Sequence, residues 1–257
     1  MTEHASLTSG DGARLVDTRS REAASKGAHQ RVFELLRAHV PEGRVLDLPC
    51  GSGAFTRRLL EAGYEATGGD VVSHPAVPQE HFRIANMNEK LPFGDASFDA
   101  VVSIEGIEHI ERPFDFVREC RRVLRSGGTL LITTPNISSL RSRWRWFLTG
   151  FHNKCKYPLD ETQPEPRHHI NMLSYPALRY MLHTNRFHIE TVATNRIKAA
   201  SWLYLPWTPI QWAAGAFLLP RGGKTAEHQR VIGESRRHLK SAAVQFGETL
   251  ITVARCT

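Results

Sequence analysis

The sequence predicts an α/β fold in which a mostly parallel sheet of seven strands carries helices on both faces, with an insertion between the last two strands. Three observations lead there. Short apolar runs alternate with helix-period segments along the chain. One such run, Val45-Leu46-Asp47-Leu48, ends in a glycine turn, Cys50-Gly51-Ser52-Gly53. The next run ends on a lone acid, Asp70. A strand that stops in a glycine turn and opens a helix, followed by a second strand with a terminal acid, is the first half of a nucleotide-cradling βαβ unit.

The elements follow in order. Residues 1–18 are polar, lack the apolar stretch of a secretory leader and are expected to be flexible. Ala28, Val32, Leu35 and Leu36 share one face of an amphipathic helix expected over 20–39. Strands are expected near 44–48, 65–70, 81–85, 98–104 and 128–134. A helix over 54–63 follows the glycine turn, another covers 114–124, and a third is capped near Asn136 and runs to 148. Beyond a long connection come a helix over 175–184, a strand over 187–196 and a last strand over 243–254. A chain of 257 residues can bury one large core, so a single domain is expected. The four cysteines, Cys50, Cys120, Cys155 and Cys256, show no paired spacing, which points to a reducing, cytoplasmic setting.

The glycine turn must bring bare backbone close to a ligand, and Gly51 and Gly53 supply that approach on either side of Ser52. Asp70 is placed to accept hydrogen bonds from a ribose diol. The run Gly51-Ser52-Gly53-Ala54-Phe55-Thr56 lacks the third glycine that lets a helix approach a pyrophosphate, so a ligand with a ribose and no phosphate fits better. This stretch resembles motif I of the class I S-adenosylmethionine-dependent methyltransferases, an acid followed by x-G-C-G-x-G, with Pro49 where the first glycine stands. The resemblance continues through Asn86-Met87-Asn88-Glu89-Lys90-Leu91-Pro92-Phe93, through Asp95-Ala96-Ser97-Phe98-Asp99, and from Arg125-Ser126-Gly127-Gly128 to Asn136. It implies a Rossmann-like domain whose last strand inserts antiparallel, with S-adenosylmethionine as cofactor. It further implies that Asp47, Gly51, Ser52, Gly53, Asp70, Asn86, Met87 and Glu105 bind that cofactor. Asn86 stands where family members often carry an aspartate that contacts the adenine amino group, and it keeps a carbonyl acceptor for that contact.

A second constellation, Glu105, Glu108 and His109, sits just past the expected fourth strand, where doubly wound sheets place their active sites. A helical turn there would put all three side chains on one face. His168-His169 lies in the long connection. An E-x-x-E-H cluster with a downstream histidine resembles the metal site of the small-RNA 2′-O-methyltransferases, and a related cluster occurs in ubiquinone-biosynthesis O-methyltransferases. The resemblance implies a divalent metal ion held by Glu105, Glu108, His109 and His169, of the Mn²⁺, Fe²⁺, Co²⁺ or Zn²⁺ kind, and a catalytic role for His109 and Glu108. The alternative is a metal-free pocket in which His109 is a general base.

Residues 199–241 form the expected insertion. Its uncharged run, 201–220, holds Trp202, Tyr204, Trp207, Trp212 and Phe217, but Pro206, Pro209 and Gln211 interrupt it. An interfacial or substrate-covering segment therefore fits better than a membrane span. Arg221, Lys224, Arg230, Arg236, Arg237 and Lys240 follow, and the chain carries a formal net charge of +7. An anionic partner is implied, such as a phospholipid surface, a lipid-linked glycan or a nucleic acid, while a lid or homodimer face remains the alternative. No separate RNA-binding module is visible. Residues 136–151, the run His169-Ile170-Asn171 and the insertion resemble methyltransferases of bacterial surface-polysaccharide synthesis, which implies O-methylation of a sugar or glycan hydroxyl. A polyprenyl phenol of the ubiquinone type, an RNA 2′-hydroxyl and a non-catalytic cofactor-binding role are the competing readings.

Overall fold

The computed structural model describes residues 24–74, 77–155, 159–163, 165, 167–218 and 225–257. The expected flexible segment 1–18 and two of the basic residues after the insertion's apolar run, Arg221 and Lys224, lie outside the described residues. The strands are β1 (Arg44–Asp47), β2 (Glu65–Asp70), β3 (Phe82–Ile84), β4 (Phe98–Ile104), β5 (Leu124–Pro135), β6 (Phe187–Thr194) and β7 (Thr249–Cys256). They form one sheet in the order β3-β2-β1-β4-β5-β7-β6. The first five run parallel, and β7 enters antiparallel between β5 and β6. Every residue of β4 is buried, as a strand covered on both faces requires.

Helices α1 (Ala28–His39), α2 (Ala54–Glu61), α3 (Pro113–Val123) and α5 (Tyr175–Thr184) cover the two faces. Successive strand residues point to opposite sides, and the core divides accordingly. Val45, Ala100 and Leu131 pack with Leu36 of α1 and Phe55 of α2. Leu46, Val101 and Leu130 pack with Phe116 of α3 and Leu178 of α5. The chain leaves β1 for β2 on one side and returns to β4 on the other, so a crevice opens beyond the carboxyl ends of β1 and β4.

Further helices are α4 (Leu140–Thr149), α6 (Thr208–Leu218), α7 (Ala226–Leu239) and α8 (Ala242–Phe246), with a 3-10 stretch at Ala199–Trp207. The insertion is thus helical. Its neck is closed by a bridge between Ile197 and Gly247, by the Glu248 amide donating to the Arg196 carbonyl at 3.0 Å, and by the Arg196–Glu248 ion pair at 2.5 Å. Among the described residues no helix is long and apolar enough to cross a membrane.

Several boundaries differ from expectation, among them β5, which begins at Leu124 rather than 128. The first helix begins at Ala28, after Gly27 in the left-handed region. The third capped helix starts at Leu140 because the Ser139 hydroxyl, not Asn136, accepts the free amide of its first turn, from Ser142 at 3.3 Å. The last strand begins at Thr249 rather than 243. Residues 242–246 instead coil into α8, capped by Ser241 accepting from Val244, and Asn136 Nδ2 donates to the carbonyls of Ala243, Val244 and Gly247, each at 3.0 Å.

Candidate active site

The glycine turn after β1 is built as a shelf. Gly51 and Gly53 take φ of 51° and 76°, and a Cβ on Gly53 would stand 2.1 Å from Val77 Cγ2, so only glycine serves there. Asp70, at the end of β2, accepts from the Gly51 amide with Oδ2 and from the Val71 amide with Oδ1, both at 2.8 Å. The carboxylate therefore fixes the turn and keeps lone pairs for a ribose diol. Asp47 is 1% exposed and accepts from Thr56 Oγ1 at 2.6 Å, tying β1 to α2. Burial pushes its carboxyl up to about 7. Cys50 is also buried, which drives its thiol far above the ordinary range and leaves it no nucleophile. Ser52 is half-buried within the turn.

Asn86 follows β3 and shapes its own loop. Its Oδ1 accepts from the Asn88 amide at 3.0 Å, and its Nδ2 donates to Glu89 Oε1 at 2.9 Å. The Met87 side chain is buried in the core with Leu48 and Leu91.

Past β4 the geometry departs from the expected single helical face. Glu105 has φ 45°, and the helical turn that follows is a 3-10 turn over Ile107–His109. Glu105 is held apart by the Ser25 amide at 3.0 Å, by the Ser25 hydroxyl and by Thr249 Oγ1 at 3.2 Å. The structure instead gathers Glu108, His109 and His169, one ligand-capable atom from each lying within 4.8 Å of the others. Asn171 positions the connection, its amide donating to the Glu108 carbonyl at 2.9 Å and its side chain to the Ile110 carbonyl. This cluster adjoins the glycine turn. A Cβ on Gly106 would meet Pro49 Cδ at 2.3 Å.

Burial favours the neutral form of each member of the cluster. Glu108 is fully buried, neither carboxylate oxygen has a hydrogen-bond partner, and burial, with Glu105 adding to the push, raises its carboxyl to about 8. His109 Nδ1 lies 3.1 Å from the His168 carbonyl, which can only accept. The proton therefore sits on Nδ1 and a lone pair on Nε2. Burial lowers the His109 pKa. His169 packs edge-on against His109, ring centroids 4.7 Å apart, and burial together with His109 takes its pKa down to about 4. Its Nδ1 is buried without a partner. Orphaned polar atoms at this density are costly and mark a place where something else supplies the bonds. One oxygen and two imidazole donors suit a divalent cation of the borderline-soft kind.

Sequence reasoning missed Ser25, Lys154 and Thr249. Lys154 Nζ donates to Ser25 Oγ at 2.8 Å, extending the Glu105 chain outward. These residues lie 80 to 144 positions from the groups they hold, and no local pattern announces them.

Comparison with known proteins agrees with this geometry. A family described as a methyltransferase domain matches residues 46–132. A probable S-adenosylmethionine-dependent methyltransferase of Mycobacterium tuberculosis is 37% identical over 117 residues, 42% of this chain and 41% of that protein. A ubiquinone biosynthesis O-methyltransferase of Xanthomonas campestris is 30% identical over 110 residues, covering 39% and 46%. The chain thus spans less than half the length of the curated relatives it matches. In fold it is similar to a SAM-dependent methyltransferase from Archaeoglobus fulgidus, with a TM-score of 0.50 and 20% identity over 89% of this chain and 95% of that one. It is also similar to the Burkholderia thailandensis 1,6-didemethyltoxoflavin-N1-methyltransferase, solved with S-adenosylhomocysteine, with a TM-score of 0.53 and 16% identity over 91% and 80%. Residues 46–132 thus match a methyltransferase domain, and over most of its length the chain has the fold of solved S-adenosylmethionine-dependent methyltransferases.

Proposed function

We propose that the protein transfers the methyl group of S-adenosylmethionine to a hydroxyl of a sugar or glycan. The observation that carries this reading is the trio of buried Glu108 and half-buried His109 and His169 beside the loop that touches the cofactor turn. Asp70 receives the ribose, Asn86 the adenine, and Asp47, when ionised, favours the cationic cofactor. The acceptor oxygen attacks the methyl carbon in line, the carbon–sulfur bond breaks with its electron pair going to sulfur, and the hydroxyl proton passes to His109 Nε2. The depressed His109 pKa keeps that lone pair available at neutral pH. Glu108, His109 and His169 would hold a divalent cation where one binds, and such an ion supplies a lowered hydroxyl pKa.

A second reading, transfer to a polyprenyl phenol, is favoured by the ubiquinone O-methyltransferase relatives and by one exposed face. Phe147 of α4, Leu203 of the 3-10 stretch and Phe217 of α6 are 73%, 76% and 87% exposed, and α4 meets the 3-10 stretch through Trp144 and Trp207, ring centroids 4.7 Å apart. That face suits the surface of an anionic membrane under either reading. The basic run on α7 contributes less than its sequence suggests, since Arg230 pairs with Glu227 at 2.7 Å.

The test is incubation of the purified protein with methyl-labelled S-adenosylmethionine and separated glycan, quinone-lipid, RNA and protein fractions of host extract. Label in the glycan fraction is expected, label in the quinone fraction selects the second reading, and label only in RNA or protein overturns both. Repetition after exhaustive chelation separates the metal-assisted route, which loses turnover, from the His109 route, which does not.

A further inference from the structure

A cavity of about 220 Å³ opens where the end of β5, the start of α4, the connection after α4 and the neck of the insertion meet. Arg141, Lys154 and Lys198 line it, together with Ser139 and a single acid, Glu248. That carboxylate is already engaged three times, by Arg196 at 2.5 Å, Lys198 at 2.7 Å and Lys154 at 3.9 Å. Arg141, half-buried in the wall, makes no hydrogen bond or ion pair among the described residues. Three cations thus share one carboxylate, and a fourth cation, Arg141, stands in the same wall with no carboxylate of its own. The chain has no aspartate or glutamate over 120–159 or 191–226, the stretches that supply these cations, so the imbalance is written into the sequence. The capped amino end of α4 adds its partial positive charge at the same wall.

A hydrogen-bond chain also runs from the cavity wall to Glu105, the residue that follows β4. Lys154 donates to Ser25, and Ser25 donates to Glu105. The cavity lies on the acceptor side, since β1 and β4 intervene between β5 and the ribose carboxylate at the end of β2. We infer that this cavity binds an oxyanion carried by the acceptor, so that the substrate is a phosphorylated or carboxylated sugar rather than a neutral one. The inference rests on the sugar-transfer reading and names its substrate class. Arg141 supplies the planar fork that pairs two oxygens at once, and Lys198 and Lys154 act as point charges.

The test is calorimetric titration of the full chain, at constant ionic strength, with inorganic pyrophosphate, glucuronate and glucose. Pyrophosphate or glucuronate is expected to bind and glucose not to, and whichever anion binds identifies phosphate or carboxylate as the recognised group. Arg141→Gln with Lys198→Gln should weaken that anion at least about tenfold, as loss of a charge-assisted pair predicts, and leave S-adenosylmethionine affinity unchanged. Arg141→Lys, which breaks no hydrogen bond or ion pair among the described residues, should recover part of the loss. Equal binding by wild type and the double variant, or no anion binding at all, would overturn the inference. Failure of the wild type to bind S-adenosylmethionine while still binding the anion would instead remove the transferase reading.

Discussion

The two sides of the crevice beyond β1 and β4 treat polar groups in opposite ways. On the β1–β2 side the carboxylates are satisfied from within, Asp70 by two amides and Asp47 by the Thr56 hydroxyl. Beyond β4 the carboxylate oxygens of Glu108 and Nδ1 of His169 have no hydrogen-bond partner, and cations crowd the cavity near β5. The first region is complete before its ligand arrives, and its parts lie within 20 or so residues of one another, as the Gly51–Asp70 bond shows. The second is assembled from distant pieces and left unfinished. A site that must accept one shared cofactor can be finished in advance, whereas a site for a particular acceptor keeps its unmet bonds for that acceptor.

This contrast can be broken by mutation. The largest effect is expected for His109→Ala, which removes the Nε2 lone pair and should lower kcat by about 100-fold or more. Cofactor affinity, measured by calorimetry, should hold, and a parallel loss of cofactor binding would show that the two regions are one. Next, Asp70→Ala should weaken S-adenosylmethionine binding by about 1–3 kcal/mol, the worth of a hydrogen bond to a charged group, because it removes both the ribose acceptor and the anchor of the Gly51 amide. Unchanged affinity would take Asp70 out of the cofactor site. The smallest effect is pH-dependent. Burial raises Asp47 from 3.8 to about 7, so the acid is neutral below that pH and ionised above it. Affinity for the cationic cofactor should therefore fall as pH drops through 7, by at most about tenfold per unit. Asp47→Asn should flatten the profile, and a wild-type profile already flat from pH 6 to 8 would sink the assignment.

The same contrast explains what was legible in the sequence. The β1 turn and Asp70 could be read directly because glycine spacing and a strand-terminal acid are local signals with one backbone solution. The antiparallel entry of β7 came with the family resemblance, whereas the order of the strands was set by long-range pairing that no local pattern announces. Glu105 could not be read, because i, i+3, i+4 spacing predicts a shared face only where the chain is helical from the first residue, and here it turns left-handed first. Residues 242–246 misled for a related reason. Ala242-Ala243-Val244-Gln245-Phe246 is too short for its period to distinguish strand from helix, and Ser241 and Gly247, which bracket it, decide the matter. Lys154, Arg141 and Lys198 carry no motif. Only the long acid-free stretches around them hinted that their charges stay unbalanced.

The closed neck of the insertion has a thermodynamic consequence. Ile197, Gly247, Arg196 and Glu248 bring the two strands' ends together independently of what lies between them. Because loop closure costs only about 0.6 kcal/mol more for each doubling of length, the outer stretch over 201–218 can lengthen, shorten or change composition with little penalty to the sheet, whereas α7 and α8 are tied to α5 and the core by the Arg179–Glu234 pair and by Val244. A lineage could therefore exchange one outer stretch for another while the clasp, the sheet and the glycine turn after β1 stay as they are.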